Sequence, residues 1–171
     1  MDRRWLVLII TSLGTFMAGL DVTIVNIAFP DIARSFPGTS LSDLSWVLNG
    51  YTIVFAAALI PAGRIADLAG RKRLFLWGLV TFTSASALSG LAPSLGVLIG
   101  ARLLQGLGAA MMIPAALGLV LPEFPPSRRA TAVALWGVSS SVAVAAGPPL
   151  GGVIVDLAGW RWIFFINVPV G

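Results

Sequence analysis

The sequence has no cysteine and no histidine, and it is poor in charge. Without cysteine there is no disulfide framework, and without either residue the usual ligands of zinc, copper and iron are missing. Only 11% of the 171 residues are charged, whereas soluble domains have about 25%. Hydrophobic residues make up 57% of the chain, which is more apolar surface than a soluble core could bury. The composition therefore favours a membrane protein.

The basic residues do not indicate a nucleic-acid partner, although the formal net charge is +4. Nucleic-acid-binding proteins collect their bases on one polar face. Here the bases lie in short turns between apolar stretches. We therefore expect a lipid bilayer as the surrounding partner and no nucleic acid.

Five apolar stretches are long enough to cross a bilayer as helices. We predict spans near residues 5–29, 44–65, 74–91, 95–121 and 130–157, and the start of a sixth span near residue 162. The first stretch follows a basic start and could be a secretory signal, but its length and the spans after it favour a membrane helix. The fold class expected is an all-α polytopic membrane protein.

A charged turn separates the second and third spans. The segment from Gly63 to Leu74 holds two glycines, one acid and four bases. Such a composition between two spans predicts a tight hairpin at the membrane surface, with its bases in the cytoplasm. The residues selected in this hairpin are Gly63, Arg64, Asp67, Gly70, Arg71, Lys72 and Arg73.

The distribution of bases predicts the orientation of the chain. With a cytoplasmic N-terminus, eight of the eleven bases lie in inside segments and two, Arg34 and Arg161, lie outside; Arg102 falls within the fourth span. This asymmetry is the one that the positive-inside rule requires. We therefore predict a multi-pass protein of the cell membrane with its N-terminus in the cytoplasm.

The hairpin has an echo later in the chain. Residues 63–70 and 152–159 are identical at six of eight positions, at an offset of 89. Each segment is the second link of a three-span unit, and the two lie on opposite sides of the membrane. An inverted three-helix repeat would leave this pattern, and chance similarity of two glycine-rich turns is the alternative.

Two charged residues within the spans fall at similar depths. Asp21 lies sixteen residues after Trp5, and Arg102 lies seven residues after Leu95 on a span of the opposite direction. At about 1.5 Å per residue both lie in the outer half of the bilayer. A charge facing lipid costs at least a few kcal/mol, so both should face the protein interior. They form either a structural ion pair or a site at which Asp21 exchanges partners.

Other polar residues lie near this pair. Gln105 shares a helix side with Arg102. The outer ends of the first two spans add four polar side chains, which either line a cavity or cap the helices at the interface. They are Asn26, Asn49, Tyr51 and Thr52.

The fifth span carries two adjacent prolines between glycines. The segment Gly147-Pro148-Pro149-Leu150-Gly151-Gly152 lacks two backbone donors, so we expect the helix to bend or loosen there. Pro148 and Gly151 are expected on one smooth side, together with Gly137, Ser141 and Val144, which would let this helix slide against a neighbour. A tolerated kink at the end of a span is the alternative.

Five segments in order resemble motifs of the major facilitator superfamily, and within it the fourteen-span drug:proton antiporters of the EmrB/QacA type. They are residues 20–30 of the first span, the loop 63–74, residues 102–110 of the fourth span, residues 147–152 of the fifth, and the approach to the sixth at 160–169. Two positions depart from the family pattern. Leu68 replaces a base in the loop. Ala143, four residues before Gly147, stands at the first small position of the fifth-span motif, where the family has glycine.

The resemblance implies a function. It implies that this chain is the N-terminal bundle of a longer transporter with twelve or fourteen spans. A membrane-embedded enzyme is the less favoured alternative, because the spans hold no histidine, no cysteine and no paired acid. The resemblance also implies proton-coupled export of drugs or other small lipophilic, often cationic compounds, with no cofactor and with the proton gradient as the driving force. Asp21, Arg102 and Gln105 would couple proton to substrate. The alternatives are a symporter or uniporter of the same fold for a small metabolite, or a non-transporting helical membrane partner.

The predicted orientation can be tested in this natively cysteine-free chain. A cysteine at position 94, in the predicted outside turn, should react with an impermeant thiol reagent in intact cells, whereas Ala69→Cys in the loop should react only after the cells are opened. Labelling of Ala69→Cys but not of Ser94→Cys in intact cells would show that the orientation is the reverse.

Overall fold

The computed structural model describes residues 2–171, which fold as six α-helices and one 3-10 turn. The turn is Pro126–Arg128. The helices are α1 (Arg3–Ser35), α2 (Leu41–Ala69), α3 (Arg71–Gly90), α4 (Leu95–Glu123), α5 (Arg129–Ala158) and α6 (Trp162–Phe165). The helices extend past the predicted spans, because the polar residues that flank each apolar stretch are helical as well.

Local chemistry explains the helix boundaries. α1 continues past Pro30 to Ser35, through residues for which the sequence indicated a connecting loop. Ser40 caps the start of α2, because its hydroxyl accepts a hydrogen bond from the backbone N–H of Asp43. The hairpin between α2 and α3 is much shorter than expected, because Gly70 alone interrupts the helix at φ 98°. Gly63 to Ala69 therefore belong to α2.

Four helices are long and apolar enough to cross a membrane by length and composition: α1, α2, α4 and the segment Pro126–Ala158 that contains α5. α3 has 20 residues and is not among them. Three bases in its first turn and several serines and threonines along it lower its hydropathy. The third membrane span stays a prediction from the sequence.

α4 is the centre of the bundle. It packs along α2 and α3 over most of its length and contacts α1, whereas α1 packs mainly against α5. α6 rests against α3, α5 and α1. The apolar parts of α1 and α4 are half buried, whereas those of α2 and α5 are mostly exposed. The helices therefore form two groups, α2–α3–α4 and α1–α5, which meet mainly where α1 contacts α4.

The echo between residues 63–70 and 152–159 corresponds to a structural equivalence. Gly70 and Gly159 end α2 and α5 with φ values of 98° and 86°. Each donates its backbone N–H to the carbonyl four residues earlier, as a left-handed helix cap does. The packing is reciprocal as well, because α2 lies against α4 while α5 lies against α1. This reciprocal pairing of α2 with α4 and of α5 with α1 favours the interpretation of an inverted three-helix repeat.

Small residues allow α1 and α5 to approach closely. Ala143, Gly147 and Gly151 are buried on one side of α5, at the four-residue spacing of a single helix face. A methyl group on Gly147 would overlap the Thr23 hydroxyl of α1. A methyl group on Gly19 would come within 3.3 Å of the Ala143 methyl. The contact is therefore too tight for a side chain on both helices.

A pair of glycine substitutions tests this contact. Gly147→Ala should overpack the α1–α5 interface at a cost of about 1–3 kcal/mol, which lowers the Tm by about 3–10 °C. Gly152→Ala is the matched control, because its new methyl meets no atom within 4 Å and alanine favours the helix by about 1 kcal/mol. Thermal unfolding of both variants in the same detergent gives the comparison. Equal Tm values for the two variants would contradict the close approach.

Candidate coupling site

Asp21, Arg102 and Gln105 form a closed hydrogen-bonded triangle between α1 and α4. Arg102 Nη1 donates to Asp21 Oδ2 at 2.5 Å and to Gln105 Oε1 at 2.8 Å, and Gln105 Nε2 donates to Asp21 Oδ1 at 2.8 Å. All three side chains are at most 1% exposed. Charges buried in this way are stable only when they are paired and hydrogen-bonded. The structure thus brings together the three residues that the sequence selected for coupling; their role in coupling stays a prediction.

The Arg102 guanidinium has further partners on its own side of the bundle. Its Nε donates to the Val47 carbonyl of α2 at 3.1 Å. Its central carbon lies 4.3 Å from the centre of the Tyr51 ring and 5.7 Å from that of Phe164. Aromatic faces attract a guanidinium placed in this way. Arg102 is therefore fixed by α2, α4 and α6, and Asp21 is its only partner on α1.

The close approach of α2 and α4 positions this cluster. Gly106 faces the backbone of Tyr51, and a methyl group on Gly106 would come within 2.5 Å of the Tyr51 carbonyl oxygen. With no side chain at Gly106, the Tyr51 ring can lie beside Arg102, one turn earlier on α4. Gly50 similarly faces Leu103, to which a methyl group would come within 2.8 Å. The glycines therefore determine how near the ring comes to the guanidinium.

A polar cavity of about 190 Å³ opens beside Arg102. It contains the four polar residues of the first two spans that the sequence selected. Its lining consists of Asn26, Asn49, Tyr51, Thr52 and Arg102, with Val22 and Leu48 as apolar walls. Asn26 also donates to the Val22 carbonyl of its own helix at 2.6 Å. Tyr51 is buried, whereas Asn26, Asn49 and Thr52 are exposed at the mouth.

The charged loop makes one ion pair and one contact with α4. Arg71 pairs with Asp67 at 3.0 Å and donates from Nη1 to the Gly118 carbonyl of α4 at 2.8 Å. Within residues 2–171 the other bases of the loop, Arg64, Lys72 and Arg73, form no ion pair. Leu68, at the position of a family base, is 74% exposed.

The Gly118 carbonyl is available to Arg71 because of Pro122. In an α-helix the carbonyl of residue 118 accepts the N–H of residue 122, and proline has none. Gly118 also gives room, since a methyl group there would come within 2.5 Å of the Arg71 side chain. A helix carbonyl without its usual donor, next to a residue without a side chain, thus forms the acceptor for Arg71.

The four residues selected in the fifth-span motif divide into two pairs. Gly147 and Gly151 are buried against α1, whereas Pro148 is exposed and Gly152 faces open space. The prediction that Pro148 lies on the smooth side of α5 is therefore wrong. The buried side is displaced from the predicted one by about one residue position around the helix. Positions 143, 147 and 151 contact α1, because residues four apart share a side. α5 is helical through both prolines.

Sequence reasoning missed several residues of these sites. Phe164 lies in the segment 160–169 that resembles the approach to the sixth span, but only the fold brings its ring to Arg102. The Val47 carbonyl has no sequence signal at all. Gly118 and Pro122 did have a sequence signal, because a proline four residues after a glycine in a helix marks a free and accessible carbonyl. Within residues 2–171 no group of three acids is placed to hold a metal ion.

Membrane-length helices closed around a buried acid–base pair define a polytopic integral membrane protein. The family model described as Major Facilitator Superfamily matches residues 11–171. The chain therefore belongs to the major facilitator superfamily.

Curated relatives are similar over nearly the whole chain. The multidrug resistance protein Stp of Mycobacterium tuberculosis (strain H37Rv) is 46% identical, over all of this chain and 32% of its own length. The multidrug export protein EmrB of Escherichia coli (strain K12) is 44% identical, over 94% of this chain and 31% of its own. The tetracenomycin C resistance and export protein of Streptomyces glaucescens is 42% identical, over 99% and 31%.

A solved structure shares the fold. The bacterial homologue of the human lysosomal transporter Spinster, in an inward-facing and unoccupied conformation, superposes with a TM-score of 0.81 at 22% identity. The superposition covers 98% of this chain and 41% of that one. The chain spans about a third of the length of the curated relatives it matches.

The contact between Arg71 and Gly118 predicts a local change in dynamics. Gly118→Ala should displace the flexible Arg71 side chain without unfolding α4, which frees the loop from that helix. We expect amide hydrogen exchange of residues 68–74 to become about two- to fivefold faster, as the loss of a surface charged contact of about 0.5–1 kcal/mol would cause.

Gly96→Ala is the control for this measurement. It places the same methyl on the same helix, where it meets no atom within 4 Å. The assignment is wrong if both variants leave exchange in the loop at its original rate, or if both raise it equally.

Proposed function

We propose that this chain is the N-terminal bundle of a proton-coupled exporter of drugs or other small lipophilic compounds in the cell membrane, with its N-terminus in the cytoplasm. The wholly buried triangle of Asp21, Arg102 and Gln105 carries the proposal. Relatives named for multidrug or antibiotic resistance and export, 42–46% identical over this region, support the class of substrate. Their length supports the view that further helices complete the transport cavity.

We infer that α1 is the moving side of the site. Arg102 keeps four contacts with α2, α4 and α6 when Asp21 is left out: the Val47 carbonyl, Gln105 and the rings of Tyr51 and Phe164. The Asp21 carboxylate has only Arg102 and Gln105. Protonation of Asp21 removes the charge that attracts Arg102, so Asp21 is the partner that leaves.

This exchange would couple the proton to helix motion. The triangle lies at the contact between α1–α5 and α2–α3–α4, the two helix groups of the bundle. An ionised Asp21 ties the groups together, whereas a protonated Asp21 lets α1 shift along with α5. If the exported compound binds only the tied form, compound and proton exclude each other. Inward flow of protons then drives outward flow of the compound.

The test is proton release by the purified whole protein. An exported compound is first identified as one against which the expressed protein protects growing cells. Its addition to weakly buffered parent protein, at a pH low enough that Asp21 is protonated beforehand, should release up to about one proton per compound bound. Asp21→Asn mimics the protonated acid, so it should release none, and it should lose export driven by a pH gradient in everted vesicles.

Asp31→Asn is the matched control. It removes an acid from the same helix, at a site where the carboxylate pairs with Arg34 near the surface, and it should release protons as the parent does. If Asp21→Asn releases as many protons as the parent, the buried pair is structural. Movement of compound and protons in the same direction would instead identify a symporter.

A further inference from the structure

The cavity beside Arg102 has an unusual charge environment. Among residues 2–171, Arg102 is the only charged residue that lines it. Asp21 is wholly buried, is not part of the lining, and uses both carboxylate oxygens within the triangle. A cation that enters the cavity in this state therefore meets a guanidinium and no carboxylate.

Arg102 also offers an unused donor. Its Nε and Nη1 donate to Val47, Asp21 and Gln105, whereas its Nη2 donates to no acceptor among the described residues. A guanidinium has five N–H groups, and two of them belong to Nη2. The residue is only 1% exposed and lines the cavity, so the cavity is where this donor can find an acceptor. The side-chain amide of Asn49, at the cavity mouth, likewise makes no hydrogen bond within residues 2–171.

The ion pair decides the charge of the acceptor. Asp21 and Arg102 together carry no net charge, and their nearest atoms are 2.5 Å apart. An anion would be attracted by Arg102 but repelled by Asp21 just behind it, and a cation would meet Arg102 first. An uncharged carbonyl oxygen accepts the free N–H without a repulsive partner. Its hydrogen bond to a charged donor is stronger than one to a neutral donor.

We propose that this cavity binds an uncharged oxygen acceptor of the exported compound, such as the carbonyl of a ketone, ester or amide. The proposal rests on the proposed function and names the chemistry of its substrate. A cavity of about 190 Å³ has the volume of about six waters, so it holds one polar group while the rest of the compound lies outside its mouth. The sequence, by contrast, suggested compounds that are often cationic.

This chemistry fits the direction of coupling. In the state in which Asp21 holds Nη1, Nη2 has no acceptor among residues 2–171. A carbonyl that binds there selects the ionised form of Asp21, and its binding therefore releases the proton. A cation would have to break the triangle to reach Asp21.

Three fluorinated probes of similar size test the proposal. Their binding to the purified protein in lipid nanodiscs is measured by fluorine NMR, with empty nanodiscs as the control for partition into lipid. 4-Fluorobenzamide should bind at least about fivefold more tightly than 4-fluorobenzylamine or 4-fluorobenzoate, because only the amide presents an uncharged oxygen. The proposal fails if either charged probe binds as tightly as the amide.

Variants locate the binding in this cavity. Val22→Phe fills the cavity from its apolar wall and should abolish benzamide binding, whereas Val22→Ala should keep it within about twofold. Asn49→Leu removes a donor at similar volume and should weaken benzamide about three- to tenfold. Ser45→Ala is the control on the same helix outside the cavity, and it should change little, because the Ser45 hydroxyl donates to the Ser42 carbonyl of its own helix. Unchanged benzamide binding in Val22→Phe would overturn the proposal.

The probes also separate this proposal from the proposed function. Probe binding needs neither a gradient nor transport. If the amide preference and the Val22 pair behave as expected while the whole protein exports nothing, the chemistry of the cavity stands and proton-coupled export is wrong. If export is observed but the cationic probe binds best, export stands and the uncharged acceptor is wrong.

Discussion

The pairing of Asp21 with Arg102 is the constraint on which the bundle depends. Neither charge is stable in an apolar interior without the other, and Gln105 completes the hydrogen bonding of both. Because one acid lies on α1 and the base on α4, this requirement determines where the two helices cross. The small residues around the site then follow: Gly106 must lack a side chain for α2 to bring Tyr51 beside the guanidinium.

The two charges have unequal support, and this asymmetry gives the site a direction. Arg102 is held by a backbone carbonyl and two aromatic rings in addition to its polar partners. No residue of α1 or α5 forms a hydrogen bond with the Asp21 carboxylate, whose partners both lie on α4. A site built in this way can lose its acid and keep its base in place. The cavity beside Arg102 would then lose the walls that α1 contributes, Val22 and Asn26, and keep those of α2 and α4.

The sequence predicted much of this arrangement, and the reasons for its failures are physical. Long apolar stretches indicated the helices, and the depth of Asp21 and Arg102 along oppositely directed helices indicated their contact. The ends of the helices were less predictable, because Pro30 and the prolines of α5 are tolerated inside continuous helices. The partners of Arg102 on α2 and α6 depend on distant packing, which leaves no local pattern. The face of α5 was misplaced because glycines and prolines occur on several of its sides, and only the contact with α1 distinguishes them.

The tight crossing of α1 and α5 also bears on how such chains diverge. Family motifs assign a glycine to the position of Ala143, yet here the methyl group is accommodated because the facing residue is Gly19. The requirement for smallness therefore belongs to the pair of facing positions and not to either one alone. A lineage can move a methyl group from one helix to the other without changing the distance between them. Comparison of relatives one column at a time would count such an exchange as the loss of a motif, although the facing pair of positions still holds a single methyl group.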